Sequence, residues 1–139
     1  MKLRPPPMFA CAFLALAAVY VAGFYATVWT DPDAAESRFD ALRKGGYPGL
    51  AEGYGQRVIA LRREEGVSEE SLAPFKVKVA SSAFDARRYA KSAGLYEEAL
   101  ASDWALELGM IERAILEDKM ARSQIIERDI SKAVSIYSA

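Results

Sequence analysis

The sequence contains no histidine, and its single cysteine is Cys11. Without histidine the chain has no Ser-His-Asp or Cys-His nucleophile, no imidazole acid–base group, no imidazole ligand for haem and no Glu-x-x-His iron motif. One thiol alone builds neither a zinc or iron–sulfur site nor an intrachain disulfide. We therefore predict a protein that is not an enzyme, holds no metal or other cofactor, and is stabilised by core packing.

Charged side chains are absent from Met8 to Trp29, which reads MFACAFLALAAVYVAGFYATVW. At about 1.5 Å per residue, a helix of this length extends about 33 Å and can cross the apolar core of a bilayer. We predict a transmembrane helix over 8–29, preceded by a short tail at 1–7 and followed by a single domain at 30–139.

A cleaved secretory signal is the competing interpretation, because Lys2 and Arg4 precede the apolar run. The apolar region of such a signal has about 7 to 15 residues and ends at a small-x-small cleavage site. This run is longer, although Val21-Ala22-Gly23 offers a candidate site. The length favours a retained anchor over a cleaved signal.

The two flanks of the apolar run differ in charge. Lys2 and Arg4 precede the run, whereas Asp31 and Asp33 follow it directly. The positive-inside rule places the basic flank in the cytoplasm. We therefore predict a protein of the bacterial inner membrane with a cytoplasmic N-terminus and a periplasmic C-terminal domain; the orientation would be the same in a mitochondrial inner membrane.

Small residues recur at helical spacing within the predicted span. In lipid, a face of small residues lets a second helix approach closely and gain van der Waals contact. We predict that this face packs against another transmembrane helix, and an alanine-rich anchor without a partner is the alternative. The residues are Ala15, Ala18, Ala22, Gly23 and Ala26.

The predicted domain is mildly acidic. Without Lys2 and Arg4, the 18 basic residues of the chain become 16, against 19 acidic residues, which gives a net charge of −3. Binding to nucleic acid depends on clustered cations that displace counterions from phosphates. We therefore expect no nucleic-acid partner.

Apolar residues recur at helical spacing through the domain, and no alternating strand pattern appears. We predict an all-α fold in which about six antiparallel helices, joined into hairpins by short turns, follow the transmembrane helix. Pro74 fits the third of these only if it lies in the first turn. The predicted helix boundaries lie at Asp31-Pro32, Gly45-Gly46, Gly66 with Ser68, residues 85–88 and Ser102-Asp103. We also predict a separate last helix that contains Ile126 and Ile130.

The stretch from Tyr89 to Asp103 reads YAKSAGLYEEALASD, with Ala80 and Phe84 upstream. It resembles the tetratricopeptide repeat, which has a small residue in its first helix, an aromatic at the turn, and then a pattern of two tyrosines followed by Ala-Leu. The stretch departs from the family at two positions. Ser92 takes the usual alanine position, and Trp104 takes the usual proline position.

Two weaker matches flank this unit. One includes Tyr47, Leu50 and Tyr54, and the other places Ile126 and Ile130 at 34 residues beyond Ser92 and Tyr96. The resemblance then spans 31–139 as a TPR-like α-solenoid, with an insertion of about eight residues near 66–71. Helical hairpins without this ancestry are the alternative.

The resemblance implies a protein-binding scaffold and no reaction. We predict a membrane-anchored adaptor or assembly factor that binds protein partners, subunits of a membrane complex, and contacts membrane lipid. The alternative is a small accessory subunit built permanently into a respiratory, photosynthetic or secretion complex, in which the span makes the main contact. The predicted protein-binding residues, in the central hairpin, are Phe84, Arg88, Tyr89 and Tyr96. The alternative for Tyr89 and Tyr96 is that both belong wholly to the core.

Overall fold

The computed structural model describes the backbone of residues 7–137 and the side chains of residues 12–23, 25–27 and 29–131. Over this range the chain is helical and contains no strand, which confirms the predicted all-α class. The helices are α1 (Pro7–Thr30), α2 (Pro32–Lys44), α3 (Pro48–Glu64), α4 (Glu69–Asp85), α5 (Tyr89–Leu100), α6 (Trp104–Glu107) and α7 (Met110–Tyr137). Most of the predicted tail at 1–7 lies outside the described residues.

Side-chain caps start α2 and α4 where the sequence predicts. The Asp31 carboxylate accepts hydrogen bonds from the backbone N–H groups of Asp33 at 2.9 Å and Ala34 at 3.4 Å, and Pro32 fills the first helical position. The Ser68 hydroxyl accepts the Ser71 N–H at 3.2 Å. These acceptors satisfy N–H groups that have no partner within the helix.

Three turns with one common geometry join α2 to α5. Each has a residue with positive φ two positions after the last helical residue: Gly46 at 78°, Gly66 at 83° and Arg87 at 60°. The next residue then donates to a carbonyl five positions back, which is the Schellman arrangement that ends many helices. These bonds run from Tyr47 to Leu42, from Val67 to Arg62 and from Arg88 to Ala83, at 2.8 to 2.9 Å.

Consecutive helices from α2 to α5 run in opposite directions. Arg62, near the end of α3, pairs with Asp33 at the start of α2. Arg63 donates to Glu69 at the start of α4, at 2.6 Å, and to Glu98 near the end of α5, at 3.1 Å. The ends of α3 and α5 therefore lie beside the starts of α2 and α4, so α2–α3 and α4–α5 are antiparallel hairpins.

The core lies between these hairpins and α7. A close approach of its helices lies at Gly55 of α3, where a Cβ atom would lie 2.5 Å from Val79 Cγ2 and 3.1 Å from a ring carbon of Phe39. Only glycine lets α2, α3 and α4 pack at this distance. The buried cluster consists of Phe39, Ala51, Ile59, Leu72, Val79, Ala80, Leu95, Tyr96 and Leu116.

Pro74 lies in the second turn of α4 and not in the first, so that prediction is wrong. As the sixth residue of the helix it removes the hydrogen bond to the Glu70 carbonyl. Both residues are exposed. Water can therefore reach the unpaired carbonyl, and α4 continues to Asp85.

The predicted separate last helix is also wrong. Ser102 and Asp103 precede a helix of only four residues, α6, and the chain then passes through Leu108 in extended conformation. From there α7 continues for 28 residues without a break. Since no glycine or proline occurs from 110 to 137, nothing in this segment ends a helix. The chain folds no third hairpin around Ile126.

The described residues contain no single helix that is long and apolar enough to cross a membrane. The segment Ala12–Thr27 of α1 meets the length and hydropathy requirements only together with α2, to which it is bent by 100°. A transmembrane helix over 8–29 stays a prediction.

Candidate protein-binding groove

Helices α4, α5 and α7 enclose an open cavity of about 610 Å³, which we call the α4–α7 groove. Phe84 forms its wall on α4, and Ile111 and Ile115 form its wall on α7. Tyr96 of α5 lies at its floor and is only 1% exposed. The groove is thus an apolar depression between two helices.

Burial raises the pKa of the Tyr96 phenol, and the carboxylate of Asp85 raises it further, while a hydrogen bond with Ser81 lowers it. The net effect is upward, so the phenol stays neutral at physiological pH. The phenol is therefore an uncharged part of the floor, and it is buried and already hydrogen-bonded to Ser81. This favours a ligand surface that is mainly apolar.

Charges of both signs border the groove. Asp118 and Arg122 of α7 form an ion pair with Arg122 Nε 2.8 Å from the carboxylate, and both side chains are exposed. Lys119 and Asp85 complete the rim. Such a rim selects among polar partners while the apolar walls supply most of the binding energy.

Large apolar side chains continue out of the groove along α6 and the first turns of α7. They have no cover from the described part of the chain. Their exposed fractions are 74% for Leu106, 89% for Met110, 76% for Ile111 and 50% for Ile115.

Three of the four predicted contact residues lie together. Phe84 and Tyr96 line the groove, and Tyr89 packs edge to face against Phe84 with ring centroids 5.3 Å apart. Arg88 does not line the groove. It pairs with Glu52, which is 1% exposed and also has Lys91 Nζ at 3.5 Å. Arg88 therefore compensates a buried charge in the fold.

The sequence analysis missed Ile111 and Ile115. The available signal was the width of the apolar side that begins at Leu106, which is broader than one buried stripe needs. In the structure only part of that side reaches the core, through Leu116 and the partly buried Leu108. The remaining part forms the wall of the groove.

The predicted transmembrane packing residues lie on α1 and are all exposed. A Cβ atom added at Gly23 would meet no atom within 4 Å. The large apolar side chains of α1 are exposed as well, for example Phe13 at 75% and Tyr20 at 77%. No described helix packs against the small-residue face.

The end of α1 is fastened to α3 at a cluster that we call the Trp29 junction, formed by Tyr25, Trp29, Tyr54 and Arg57. The ring of Trp29 stacks on Tyr25 and on Tyr54, with centroids 5.9 and 5.8 Å apart. Arg57 donates two hydrogen bonds to the Trp29 carbonyl, from Nε at 2.8 Å and from Nη2 at 2.6 Å. The predicted transmembrane helix ends at Trp29, but the contact with Arg57 was not predicted.

A buried ion network joins α3, α4 and α5. Lys76 is 2% exposed, and its ammonium pairs with Glu69 and, at 2.6 Å, with Glu98. Hydrogen bonds from Arg63 and Lys76 hold the pKa of Glu69 down at about 2. Every buried side-chain polar atom among the described residues has a hydrogen-bond partner. The network therefore holds α3, α4 and α5 together, and none of its buried polar groups is unpaired.

The groove has the features of a binding surface. Its walls are apolar, its rim carries both signs, and the described residues include no group of three His, Cys, Asp or Glu side chains placed to hold a metal ion. Comparison of the chain with protein-family models, curated proteins and solved structures finds no match. The physical clues to its function are thus the groove, the Trp29 junction and the exposed apolar surface of α1.

Proposed function

We propose that this protein is a non-catalytic, membrane-anchored adaptor or assembly factor whose helical domain binds a partner protein in the α4–α7 groove. The observation that carries the proposal is the exposure of Ile111 and Ile115 beside Phe84, in a cavity of about 610 Å³. Apolar side chains that remain exposed together on a folded domain mark a surface that another molecule covers.

The partner we infer is an amphipathic helix. The groove runs between two helices, and a third helix can place apolar residues at spacings of three and four into such a space. The rim supports the same inference, because Asp118, Lys119 and Arg122 offer charges of both signs to the polar face of a bound helix. A flat or strongly charged partner would leave the apolar walls uncovered.

We infer that α1 anchors the protein in a membrane of the bacterial inner-membrane type. The support comes from the charge-free run 8–29 and from the exposure of Phe13 and Tyr20 on α1, since lipid is the solvent in which such side chains are stable. Lys2 and Arg4 before the run support a cytoplasmic N-terminus and a periplasmic domain.

We also propose that the domain is a short TPR-like array. The two antiparallel hairpins, α2–α3 and α4–α5, support this, as does the packing of α7 on α5. Helical arrays need a cap to close their last hairpin. In this proposal α7 is that cap, and a partner helix in the groove covers what α7 leaves open.

A second candidate is a small accessory subunit that is held in a membrane complex by α1. The exposed small-residue face, which includes Ala18, Ala22 and Ala26, favours this candidate because such a face allows close approach of a neighbouring helix. In that case the span makes the main contact, and the groove contributes little.

Purification of the full-length protein in mild detergent distinguishes the two candidates. A matched pair of variants is Ile115→Glu and Ile125→Glu, because both isoleucines lie on α7 with 50% and 51% exposure but only Ile115 lines the groove. A buried carboxylate in an apolar interface costs several kcal/mol. We expect Ile115→Glu to reduce recovery of the co-purifying partner at least tenfold and Ile125→Glu to leave it unchanged.

Photo-crosslinking ties this result to the site. A photoreactive amino acid at 115 should give a covalent adduct with the partner, and one at 125 should not. If instead the triple variant Ala18→Leu, Ala22→Leu, Ala26→Leu releases the partner while Ile115→Glu retains it, the accessory-subunit candidate is correct. A chain that purifies alone under all conditions contradicts both.

A further inference from the structure

Helix α3 presents an exposed apolar stripe away from the α4–α7 groove. Tyr47, just before the helix, and Leu50 within it are 59% and 61% exposed. With Tyr54 they stand at intervals of three and four residues, so they share one side of the helix. Tyr47 and Leu50 lie outside the core, whereas Tyr54 is half-buried and packs against it. The neighbouring Val58 and Leu61 are buried.

The stripe continues into the end of α1. Tyr54 stacks on Trp29, and Trp29 stacks on Tyr25 one turn earlier in α1. A row of aromatic side chains therefore runs from the apolar helix onto the surface of the domain. The molecule that covers Tyr47, Leu50 and Tyr54 must therefore also fit the environment of the end of α1.

The junction between α1 and α3 fixes their relative orientation. The carbonyl of Trp29 is among the last of α1, where carbonyl groups have no intrahelical donor. Arg57 supplies two donors at 2.8 and 2.6 Å, and charged donors make the stronger hydrogen bonds. Rotation of α1 about residue 30 would break both bonds and the stacking on Tyr54.

The bend between α1 and α2 determines the orientation of the α2–α3 hairpin relative to α1. The two helices meet at 100°, and α3 runs antiparallel to α2. With α1 along the normal of a bilayer, α2 and α3 both lie close to the plane of the membrane surface. The side of α3 that touches Trp29 is the side next to α1 and hence next to the bilayer.

We propose that Tyr47, Leu50 and Tyr54 form a contact with the headgroup region of the membrane that lays the α2–α3 hairpin on the bilayer surface. This inference rests on the proposed anchoring of α1. Tyrosine and tryptophan prefer this depth, where the ring is apolar and the polar edge stays wet. Arg57 fits the same depth because its stem is apolar and its head is polar. The occupant is lipid and not a second protein.

The test uses the full-length protein in vesicles of phosphatidylcholine and phosphatidylglycerol. In a Cys11→Ser background, single cysteines replace Leu50, Val19 or Leu106 and carry an environment-sensitive fluorophore. Leu106 is the matched control, since it is a leucine with 74% exposure on a helix remote from α1 in sequence. Spin-labelled lipids with shallow or deep nitroxides quench fluorophores at the corresponding depth.

We expect shallow quenching at position 50, deep quenching at position 19, and no more than background quenching at position 106. Quenching at 19 combined with background quenching at 50 would overturn the surface contact and leave the anchor intact. Background quenching at 19 would overturn the anchor itself. The two failures are therefore distinguishable.

The variant Arg57→Ala tests whether the junction positions the stripe. We expect shallow quenching at 50 to fall at least twofold while deep quenching at 19 is unchanged, because α1 stays inserted when the hairpin is free to tilt. Arg57→Lys keeps one cationic donor and should restore part of the quenching. Unchanged quenching at 50 in Arg57→Ala contradicts the role of the junction.

Discussion

Gly55 lies where α2, α3 and α4 come close together. A Cβ atom there would stand 2.5 Å from a methyl carbon of Val79, so the Gly55→Ala variant must move Val79 or separate the helices. Overpacking of this kind costs about 1 to 3 kcal/mol. Helix propensity offsets up to about 1 kcal/mol of that cost. We expect a net loss of stability in thermal unfolding followed by circular dichroism in mild detergent.

Gly53 provides the matched control for this prediction. It lies on the same helix, is exposed, and would have no atom within 4 Å of an added Cβ. Gly53→Ala should therefore stabilise the protein by about 0.5 to 1 kcal/mol through helix propensity alone. Equal effects of the two substitutions would contradict the close packing at Gly55.

The ion network around Lys76 makes stability depend on pH. The pKa of Glu69 is about 2 in the folded protein against an ordinary value of 4.5, because Arg63 and Lys76 bond its charged form. A depressed pKa contributes stability that is fully present above the unfolded value and is lost as the pH falls through the folded one. Stability should thus decline between about pH 4.5 and 2.

The variant Glu69→Gln assigns this decline to one carboxylate. It removes one of the two anionic partners of buried Lys76, and we expect a loss of about 1 to 3 kcal/mol at pH 7. The difference in the free energy of unfolding between the two proteins should shrink as the pH approaches 2. A difference that stays constant with pH would show that Glu69 does not carry the effect.

The three Schellman turns show how far sequence determines the elements. Gly46 and Gly66 adopt positive φ at no steric cost, so their turns were predictable from glycine alone. Arg87 adopts φ of 60° without that advantage, and the sequence there gives only a weak sign of a break. The fold imposes the third turn, because α5 must return along α4 to bury Leu95 and Tyr96.

This difference predicts opposite effects of substitution at equivalent positions. Arg87→Gly removes the steric cost of the left-handed conformation, about 1 to 2 kcal/mol. Part of this gain in stability is lost because glycine raises the conformational entropy of the unfolded chain. We expect a net gain of about 0.5 to 1 kcal/mol. Gly66→Ala should lose about 1 kcal/mol, since its φ of 83° strains any side chain although the space is open. Urea unfolding in mild detergent compares the two variants.

Helix α7 shows where periodicity misleads. The match of Ile126 and Ile130 to Ser92 and Tyr96 predicted a third hairpin, but a repeat in apolar residues does not end a helix. Glycine or proline would mark such an end, and the segment 110–137 contains neither. The break falls instead at Leu108 and Gly109, and the start of α7 leaves Met110, Ile111 and Ile115 exposed.

Two of the residues that line the groove were predicted from the sequence, and two others were not. Phe84 and Tyr96 stood out as aromatics of the central hairpin, and both line the groove. Ile111 and Ile115 line the groove because α7 packs against α5, a tertiary contact that no local pattern encodes. The tertiary position of one helix decides which side of an apolar stripe is covered.

At the scale of the whole molecule, the described part of the chain carries, besides the stripe on α3, two exposed apolar regions of different character. One is the uniformly apolar α1, whose described side chains are exposed on all sides up to Tyr25. The other is the confined row from Leu106 to Ile115 beside the groove. In the proposed arrangement lipid would solvate the first without regard to geometry, whereas the second has the shape and the charged rim that suit a specific protein partner.

The contacts between α1 and α3 couple the orientation of α1 to that of the α2–α3 hairpin. Because Arg57 binds the Trp29 carbonyl and the helices meet at 100°, any tilt of α1 turns the α2–α3 hairpin through the same angle. A helix in a bilayer tilts more as the hydrocarbon core becomes thinner. With α1 in a bilayer as proposed, a change in membrane thickness would therefore change the inclination of the helical domain. It would also change the position of the α4–α7 groove relative to the membrane.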